Sequence, residues 1–456
     1  MSVSFVFYVV VGALCGWCAY RAEKHNKKKY IWLVIGILTC VAGFRSSTVG
    51  WDTLSYLEKF RMIEMGRLDL AYGLEDTFKC IVLLIQNVVS SGQFVLILLA
   101  FVTNCAIISR FWELRKISYF TCMVLCYYMS FYFTTMNTVR QYCAVAIVFY
   151  SIRFLEKKQI LRFIGGVLVA MLFHRTAMVG IIFLAIYCAR WDEFSVQQRV
   201  WIKRFALCVP VAAILLLLIG FFERYTKYFT NIQLDVGVML PIKLAFWVFA
   251  LKSFSKTVKL CEDKNERFAL ITAGVGYLVA ITFGMLGYVF LELDRIGWYF
   301  CLYEGVFFGI LLKEKEFCRR AIYSCVITVL VLFGFVYSML RNSQGQMPYK
   351  LSADIIDVSN GIAVCGYGLD DNGRIVELAD GIVEEDGELY YYENGRRTYA
   401  GLIKIKGKYY YVRSNGKLVV DCWYWITKTN GLIPGGRYYF NSDGKLSTIK
   451  ANPSDQ

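Results

Sequence analysis

The stretch NTVRQYCAVAIVFYSIRFLEKKQILRFIGGVLVAMLFHRTAMVGIIFLAIYCA at residues 137–189 decides the fold class of this chain. It contains two apolar runs separated by a basic loop, and His174 and Arg175 interrupt the second run. A helix needs about 20 apolar residues to cross a bilayer, and a charge at its centre is costly. The run 160–189 is therefore predicted to form two half-length helices that meet near the outer membrane surface.

Composition supports a polytopic membrane protein. Apolar residues make up 57% of the chain and charged residues 19%, and the mean hydropathy is +0.48. The formal net charge of +15 belongs entirely to the apolar part, because residues 341–456 contain 14 basic and 14 acidic residues. Such an excess is typical of cytoplasmic loops, whereas a nucleic-acid-binding protein would carry a basic face on a soluble domain. No nucleic-acid partner is predicted.

Twelve segments are predicted to enter the membrane, and the stretch 77–91, which is apolar but short, is predicted to be re-entrant or interfacial. If the basic connections are cytoplasmic, both termini are extracellular. The fold class is an all-α polytopic body in the bacterial plasma membrane. Its predicted segments are 2–20, 30–44, 93–110, 118–135, 137–155, 160–173, 176–189, 205–222, 241–254, 268–290, 297–312 and 321–340.

The C-terminal part is built from repeats. GELYYYENGRR, GKYYYVRSNGKL and GRYYFNSDGKL begin at residues 387, 407 and 436, and GLDDNGRIVEL at 368–378 is a degenerate copy. Aromatic runs followed by Asn-Gly favour β-hairpins, and stacked copies favour a β-solenoid. The predicted domains are 1–347 (membrane body), 348–380 (linker and degenerate repeat) and 381–456 (repeats). The aromatic residues predicted to hold a glycan are Tyr390, Tyr391, Tyr410, Tyr411, Trp423, Trp425, Tyr438 and Tyr439.

The sixteen cysteines do not indicate a metal or redox site. Cys15 with Cys18 and Cys122 with Cys126 lie inside apolar runs without a nearby His or carboxylate, which favours core packing. In the tail, a disulfide between Cys365 and Cys422 is possible but not required by their spacing. No cleavable signal peptide, metal or cofactor is predicted.

Polar residues, among them Glu75 and Asp294, recur at the predicted outer ends of the spans, where they can converge on a shared cavity. Simpler interpretations exist for each: an Arg at a span end can reach lipid phosphates, a lone His can be a packing residue, and Asp52 can cap a helix beginning at Thr53. Several Arg on one face, together with Asp and His, favour binding of a diphosphate. The predicted site residues are Arg45, Asp52, Tyr56, Asn137, Arg140, Gln141, His174 and Arg295.

These stretches resemble the EpsG family. FRSSTVGWDTLSYLEKF at 44–60 resembles its first-loop signature, and NTVRQY, the basic loop and FHRT follow in order. DRIGWYF at 294–300 resembles a later motif, so the resemblance covers residues 1–347. It implies a GT-C-like polymerase of exopolysaccharide or capsule, and adds Gly50 and Thr53 to the site. Trp51 departs from the small or polar residue expected there, which leaves the sugar specificity open.

The tail resembles cell-wall-binding or glucan-binding repeats of Gram-positive surface proteins. Because it lacks the regular Gly-Trp of choline-binding copies, choline is not predicted. The resemblance implies that the tail binds cell-wall or product glycan.

The predicted function is an extracytoplasmic, metal-independent glycosyltransferase acting on a polyprenyl-diphosphate-linked glycan. Arg45, Arg140 and Arg295 are predicted to bind the diphosphate, and either Asp52 or His174 to act as general base. Membrane lipid and other polysaccharide-synthesis proteins are candidate partners.

Three rival classes are weighed. A flippase for lipid-linked sugars should show internal repeats of spans or broken helices at the midplane of the membrane, and no such pairing is found in the sequence. An O-acyltransferase needs a His deep within a span, whereas His174 is predicted to lie near the outer membrane surface. A wall anchor would not explain twelve spans.

Overall fold

The computed structural model describes residues 2–66, 68, 71, 73–187, 239–287, 293–352, 367–369, 375–377, 381–385, 387–393 and 396–447. Up to residue 343 this part is helical, with a 3₁₀ helix at Arg175–Ile182. The α-helices are α1 (Ser2–His25), α2 (Lys29–Gly43), α3 (Thr53–Glu64), α4 (Asp76–Gln86), α5 (Gly92–Leu114), α6 (Phe120–Ser130), α7 (Tyr132–Asn137), α8 (Val139–Glu156), α9 (Ile160–Phe173), α10 (Phe183–Tyr187), α11 (Met239–Leu260), α12 (Lys264–Gly287), α13 (Asp294–Cys301), α14 (Tyr303–Leu311) and α15 (Phe317–Arg341).

Within the described residues, four helices are long and apolar enough to cross a membrane: Val3–His25, Gly92–Leu114, Lys264–Gly287 and Phe317–Arg341. Shorter apolar helices accompany them, so the membrane character is confirmed, whereas the count of twelve segments is not. The predicted segment 118–135 is divided between α6 and α7, and the segment 297–312 between α13 and α14. The predicted segment 205–222 lies outside the described residues.

The predicted break at His174 is confirmed. Helix α9 ends at Phe173, and His174 has an extended backbone (φ −156°, ψ 124°). The second half begins as the 3₁₀ helix rather than as an α-helix. Gly180 lets the 3₁₀ helix pack closely against α8, because a Cβ placed there would lie 2.7 Å from Val148 Cγ1. The break leaves His174 between two apolar segments.

Helix α4 supports the prediction that 77–91 does not cross the membrane. It contains 11 residues. At 1.5 Å per residue this helix is about 16 Å long, against a hydrocarbon thickness of about 30 Å.

Polar side chains tie the apolar helices to one another. The Glu23 carboxylate on α1 accepts the backbone N–H groups of Phe120 and Thr121 at 3.1 and 3.2 Å, which satisfies donors that a helix N-terminus leaves unpaired. The buried Arg110 of α5 contacts Glu156 of α8 and donates to Glu113 at 3.1 Å. Buried charges need such partners because desolvation is costly.

By compactness the chain divides into two units. Unit 1 contains residues 1–43, 73–81 and 96–343, and unit 2 contains residues 44–72, 82–95 and 344–456. The predicted domains divide the sequence at residue 347, whereas this division groups the first loop with the C-terminal part.

In unit 2, the residues that follow α15 pair with the first loop. Ser46 N–H donates to the Lys350 carbonyl at 2.9 Å, and Gly50 N–H donates to the Gly345 carbonyl at 2.7 Å. A Cβ on Gly345, whose φ is +64°, would lie 3.1 Å from the Trp51 backbone nitrogen. Glycine at 345 therefore allows this close approach.

The tail forms antiparallel hairpins, as predicted, whereas their stacking into a solenoid stays a prediction. β6 and β7 are joined by Lys406 and Gly407, both with positive φ, which is the type I′ geometry. This turn precedes the aromatic triplet. After the triplet the chain turns back again around Asn-Gly, as predicted: Tyr392 pairs with Arg397, and Val412 pairs with Leu418. The strands are β1 (Tyr367–Leu369), β2 (Ile375–Glu377), β3 (Gly381–Glu385), β4 (Glu388–Glu393), β5 (Arg396–Arg397), β6 (Gly401–Ile405), β7 (Lys408–Val412), β8 (Cys422–Ile426) and β9 (Gly436–Phe440).

The hairpins pack through their aromatic residues. Tyr411 belongs to a core cluster with Leu402 and Phe440, and Tyr410 is buried in a second cluster with Val412. These two tyrosines cannot offer a free ring face to a glycan, which corrects their predicted role. A strand alternates its faces, so each aromatic triplet must place some members in the core.

Candidate functional site

In unit 1, Glu75 joins the His and Arg motifs. His174 Nδ1 lies 2.6 Å from Glu75 Oε1, and the Arg140 guanidinium forms an ion pair with the other carboxylate oxygen. Glu75 lies directly before α4, Arg140 lies in the first turn of α8, and His174 lies at the helix break. Residues far apart in sequence thus form one charged cluster.

The backbone and the apolar surroundings hold Arg140 in place. Its Nη2 donates to the Gly73 carbonyl at 3.1 Å, and its guanidinium lies 5.7 Å from the centre of the Phe78 ring. Thr77 on α4 donates to the Leu172 carbonyl at 2.9 Å, which fixes α4 beside the end of α9. These contacts orient the carboxylate of Glu75 and the guanidinium relative to His174.

The electrostatics keep Glu75 ionised. Burial raises the pKa of its carboxyl, but the hydrogen bond with His174 and the charge of Arg140 outweigh burial and lower the pKa to about 2. An ionised Glu75 accepts a hydrogen bond from Nδ1–H of His174. In the neutral imidazole, Nε2 is then the nitrogen that can accept a proton.

The later motif approaches the same region of unit 1. The hydroxyl groups of Thr176 and Tyr299 lie 2.9 Å apart, and Gln141 donates its side-chain N–H to the Arg295 carbonyl at 3.0 Å. The motifs FHRT, NTVRQY and DRIGWYF are therefore linked by direct hydrogen bonds. The Arg295 side chain is exposed, whereas Asn137 is buried at the end of α7.

A second group of predicted residues lies in unit 2. Arg45 is 1% exposed, its Nε donates to the Thr53 hydroxyl at 3.0 Å, and Thr53 donates to the Val49 carbonyl at 2.6 Å. Gln93 donates to the Arg45 carbonyl at 3.1 Å. The buried Arg45 thus stabilises the conformation of the first loop through these hydrogen bonds. Tyr56 is buried beside Phe60.

Asp52 does not cap helix α3 with its side chain, although α3 begins at the next residue. Its Oδ1 instead accepts a hydrogen bond from the Ser414 hydroxyl of the tail at 2.9 Å. The cap interpretation is thereby excluded for this side chain. The carboxylate is turned toward the repeats of the same unit.

Glu58 forms another contact between α3 and the tail. The Tyr399 backbone N–H donates to Glu58 Oε1 at 3.1 Å. Burial raises the pKa of Glu58 to about 7, although this hydrogen bond and Lys428 lower it, and Glu393 and Lys59 also act on it. A carboxyl in this range changes charge near neutral pH.

We expect the stability of unit 2 to fall as pH rises from about 4.5 to about 7. The folded state holds the Glu58 proton more tightly than the unfolded chain does, so raising the pH through this window removes stability. Glu58→Gln should abolish this slope in thermal unfolding of the detergent-solubilised protein. Glu64→Gln, on an exposed residue of the same helix, is the control and should keep it. An unchanged slope in Glu58→Gln would contradict the prediction.

The model of the EpsG family matches residues 28–351. The chain belongs to the EpsG family. This membership implies an exopolysaccharide-polymerase-like membrane protein with a lipid-linked glycan substrate. No curated protein and no solved structure shows a significant match to this chain. The repeats at 381–446 lie outside the residues matched to EpsG.

The sequence places Glu75 of this EpsG chain among the polar residues near the outer ends of the spans, but it gives no specific role to Glu75, Thr176 or Tyr299. Thr176 and Tyr299 stand within the EpsG-like motifs FHRT and DRIGWYF, so the motif letters could have marked them. Glu75 carries a weaker signal, since an acidic residue before a helix is ordinary capping chemistry. Its role depends on contacts 65 and 99 residues away.

Proposed function

We propose that this EpsG-family chain is an extracytoplasmic glycosyltransferase that polymerises polyprenyl-diphosphate-linked oligosaccharides. The observation that carries the proposal is the Glu75–His174–Arg140 cluster, which combines an oriented base with a fixed cation. A hydroxyl of the acceptor unit attacks the anomeric carbon of the donor. The bond from that carbon to the diphosphate oxygen breaks, and the lipid diphosphate leaves with the electron pair.

His174 is the general base that the geometry favours. Its Nε2 takes the proton of the attacking hydroxyl, while the Glu75 carboxylate at 2.6 Å from Nδ1 stabilises the resulting imidazolium. Positive charge then develops in the cluster as negative charge grows on the leaving group. Such matched charge lowers the energy of the transition state.

Arg140 and Arg295 are proposed to bind the diphosphate. Arg140 is oriented by Glu75 and Gly73. Arg295 is an exposed residue, and its backbone carbonyl accepts a hydrogen bond from the Gln141 side chain. An Arg guanidinium recognises phosphate oxygens with two parallel donors. Arg45 remains a candidate for diphosphate binding only because it lies in the family's first-loop motif. For Asp52, which lies in unit 2, we propose that the carboxylate binds hydroxyl groups of the acceptor saccharide.

Reconstitution tests this function. The purified chain in lipid vesicles would receive lipid-linked units extracted from cells that lack it, and we expect polymer and free lipid diphosphate. Polymer formation that survives Arg140→Ala together with His174→Ala would contradict the site. Movement of lipid-linked sugar across the vesicles without polymer would favour the alternative function of a flippase.

For the tail, we propose a glycan-binding face around Trp423 and Tyr439. Their rings lie 5.6 Å apart, Trp423 is 38% exposed, and the Tyr439 hydroxyl donates to Asp421 at 2.6 Å. An aromatic face with a carboxylate beside it suits a sugar, which has apolar C–H faces and hydroxyl donors. Tyr390 is less suited, since the Arg397 guanidinium lies 3.6 Å from its ring centre.

Trp423→Ala should weaken retention of the full-length protein on cell-wall or product polysaccharide by about five- to tenfold, which corresponds to about 1 kcal/mol of lost stacking. The measurement is co-sedimentation of the detergent-solubilised protein with the insoluble polysaccharide. Tyr399→Ala, at a ring already covered by Lys428, is the matched control. Equal retention of Trp423→Ala and the unmodified protein would contradict this face.

A further inference from the structure

The tail contributes a side chain to the family's first-loop motif. The Ser414 hydroxyl lies 2.9 Å from Asp52 Oδ1 and 2.6 Å from the Trp51 carbonyl oxygen, and all three residues belong to unit 2. A Cβ on Gly416 would lie 3.4 Å from Leu54 Cδ2, so the turn also packs against α3. The repeat turn 413–417 therefore packs against the first loop and the start of α3.

Ser414 changes what Asp52 can do. An Asp at a helix N-cap ordinarily turns its carboxylate toward the first N–H groups of the helix. Asp52 makes no such bond, and its carboxylate instead shares the single hydroxyl proton of Ser414 with the Trp51 carbonyl oxygen. The charge of Asp52 also raises the pKa of Tyr424, although burial is the larger cause, so this carboxylate lies near the aromatic strand β8.

The last repeat contains an equivalent turn that serves as an internal comparison. Gly416 N–H donates to the Arg413 carbonyl and Gly444 N–H donates to the Asn441 carbonyl, both at 2.9 Å. The two glycines have φ of +78° and +72°. Ser442 occupies the position that corresponds to Ser414 but is exposed, whereas Ser414 is half-buried. The difference lies in where the turn is placed rather than in its own geometry.

We propose that Ser414 is a positioning residue that orients the Asp52 carboxylate for binding of the acceptor saccharide, so that the repeat domain helps to bind this saccharide in unit 2. This inference rests on the proposed function. Ser414 acts through Asp52 and takes no part in bond making. The repeats thus have a task in polymerisation that is separate from holding a glycan on their own surface.

The test compares Ser414→Ala, Ser414→Thr and Ser442→Ala in the reconstituted full-length chain, with lipid-linked units extracted from cells that lack it. Loss of one hydrogen bond to a charged group should raise the apparent KM about five- to tenfold, with kcat changed less than twofold. Ser414→Thr should restore the KM, and Ser442→Ala should leave it unchanged. An unchanged KM in Ser414→Ala, or an equal rise in Ser442→Ala, would overturn the proposal.

A second measurement separates this proposal from the proposed function. Hydrogen–deuterium exchange at residues 51–58 of the solubilised chain reports the orientation of the Asp52 carboxylate. Without the hydrogen bond from Ser414, this carboxylate should turn toward the first N–H groups of α3 and slow their exchange. We expect this change in Ser414→Ala and not in Ser442→Ala, whether or not any variant makes polymer. Identical exchange in the two variants would overturn the positioning role, while absence of polymer from the unmodified chain would overturn the polymerase alone.

Discussion

Glu75→Gln should lower kcat for polymer formation by about 10²–10⁴-fold, the range that a general base contributes. A neutral amide cannot stabilise the imidazolium of His174, and its NH₂ group can reverse the hydrogen bond and place the proton on the wrong ring nitrogen. It also leaves Arg140 without its carboxylate partner. The measurement is the initial rate of polymer formation in vesicles containing equal amounts of protein.

The neighbouring residue provides the control for this variant. Asp76 follows Glu75 directly, its side chain is 95% exposed, and it pairs only with Lys79 among the ion pairs of the described residues. Asp76→Asn should therefore keep its rate within about twofold, because exposed ion pairs contribute little. His174→Gln should lower kcat by the same factor as Glu75→Gln, while leaving the ion pair between Arg140 and Glu75 intact. A Glu75→Gln rate within threefold of the unmodified protein would contradict the cluster's role.

Arg140→Lys should lower kcat/KM by about 10- to 100-fold. Lysine retains the positive charge but cannot contact the Glu75 carboxylate and the Gly73 carbonyl with two nitrogens of one planar group. The cation would no longer be fixed relative to His174. The measurement is the dependence of the initial rate on the concentration of lipid-linked units.

Arg175→Lys is the matched control for the arginine variant. Arg175 directly follows His174 but its side chain is exposed. A general effect of replacing an arginine by a lysine near the motif would appear in both variants, whereas loss of the paired contacts to Glu75 and Gly73 occurs only in Arg140→Lys. If both variants lost activity equally, the fixed geometry of Arg140 would not be the cause.

The helical body and its motifs were largely predictable, because each depends on local sequence. The interruption at His174 followed from a charged pair within an apolar run, and the structure places the break there. The hairpins followed from Gly and aromatic patterns. The divided segment at 118–135 was less accessible, since α6 and α7 are apolar on both sides of Phe131.

The pairing between motifs could not be read from the sequence. Glu75 contacts Arg140 and His174, which lie 65 and 99 residues further along the chain, and Ser414 contacts Asp52 across more than 300 residues. Such contacts depend on tertiary packing rather than on periodicity. The burial of Tyr410 and Tyr411 also followed from packing, because the aromatic triplet alone does not show which member faces the core.

The two equivalent repeat turns have a consequence for how such chains can vary. The turn that touches the first loop belongs to an inner copy, whereas the turn at Asn441–Lys445 belongs to the outermost described one. Phe440 of the outer copy shares a buried core with Leu402 and Tyr411 of the inner copy, so removing the outer copy would expose the core beside the turn that contacts Asp52. A shortened tail would therefore change the surroundings of Asp52 in the first loop as well as the repeats themselves.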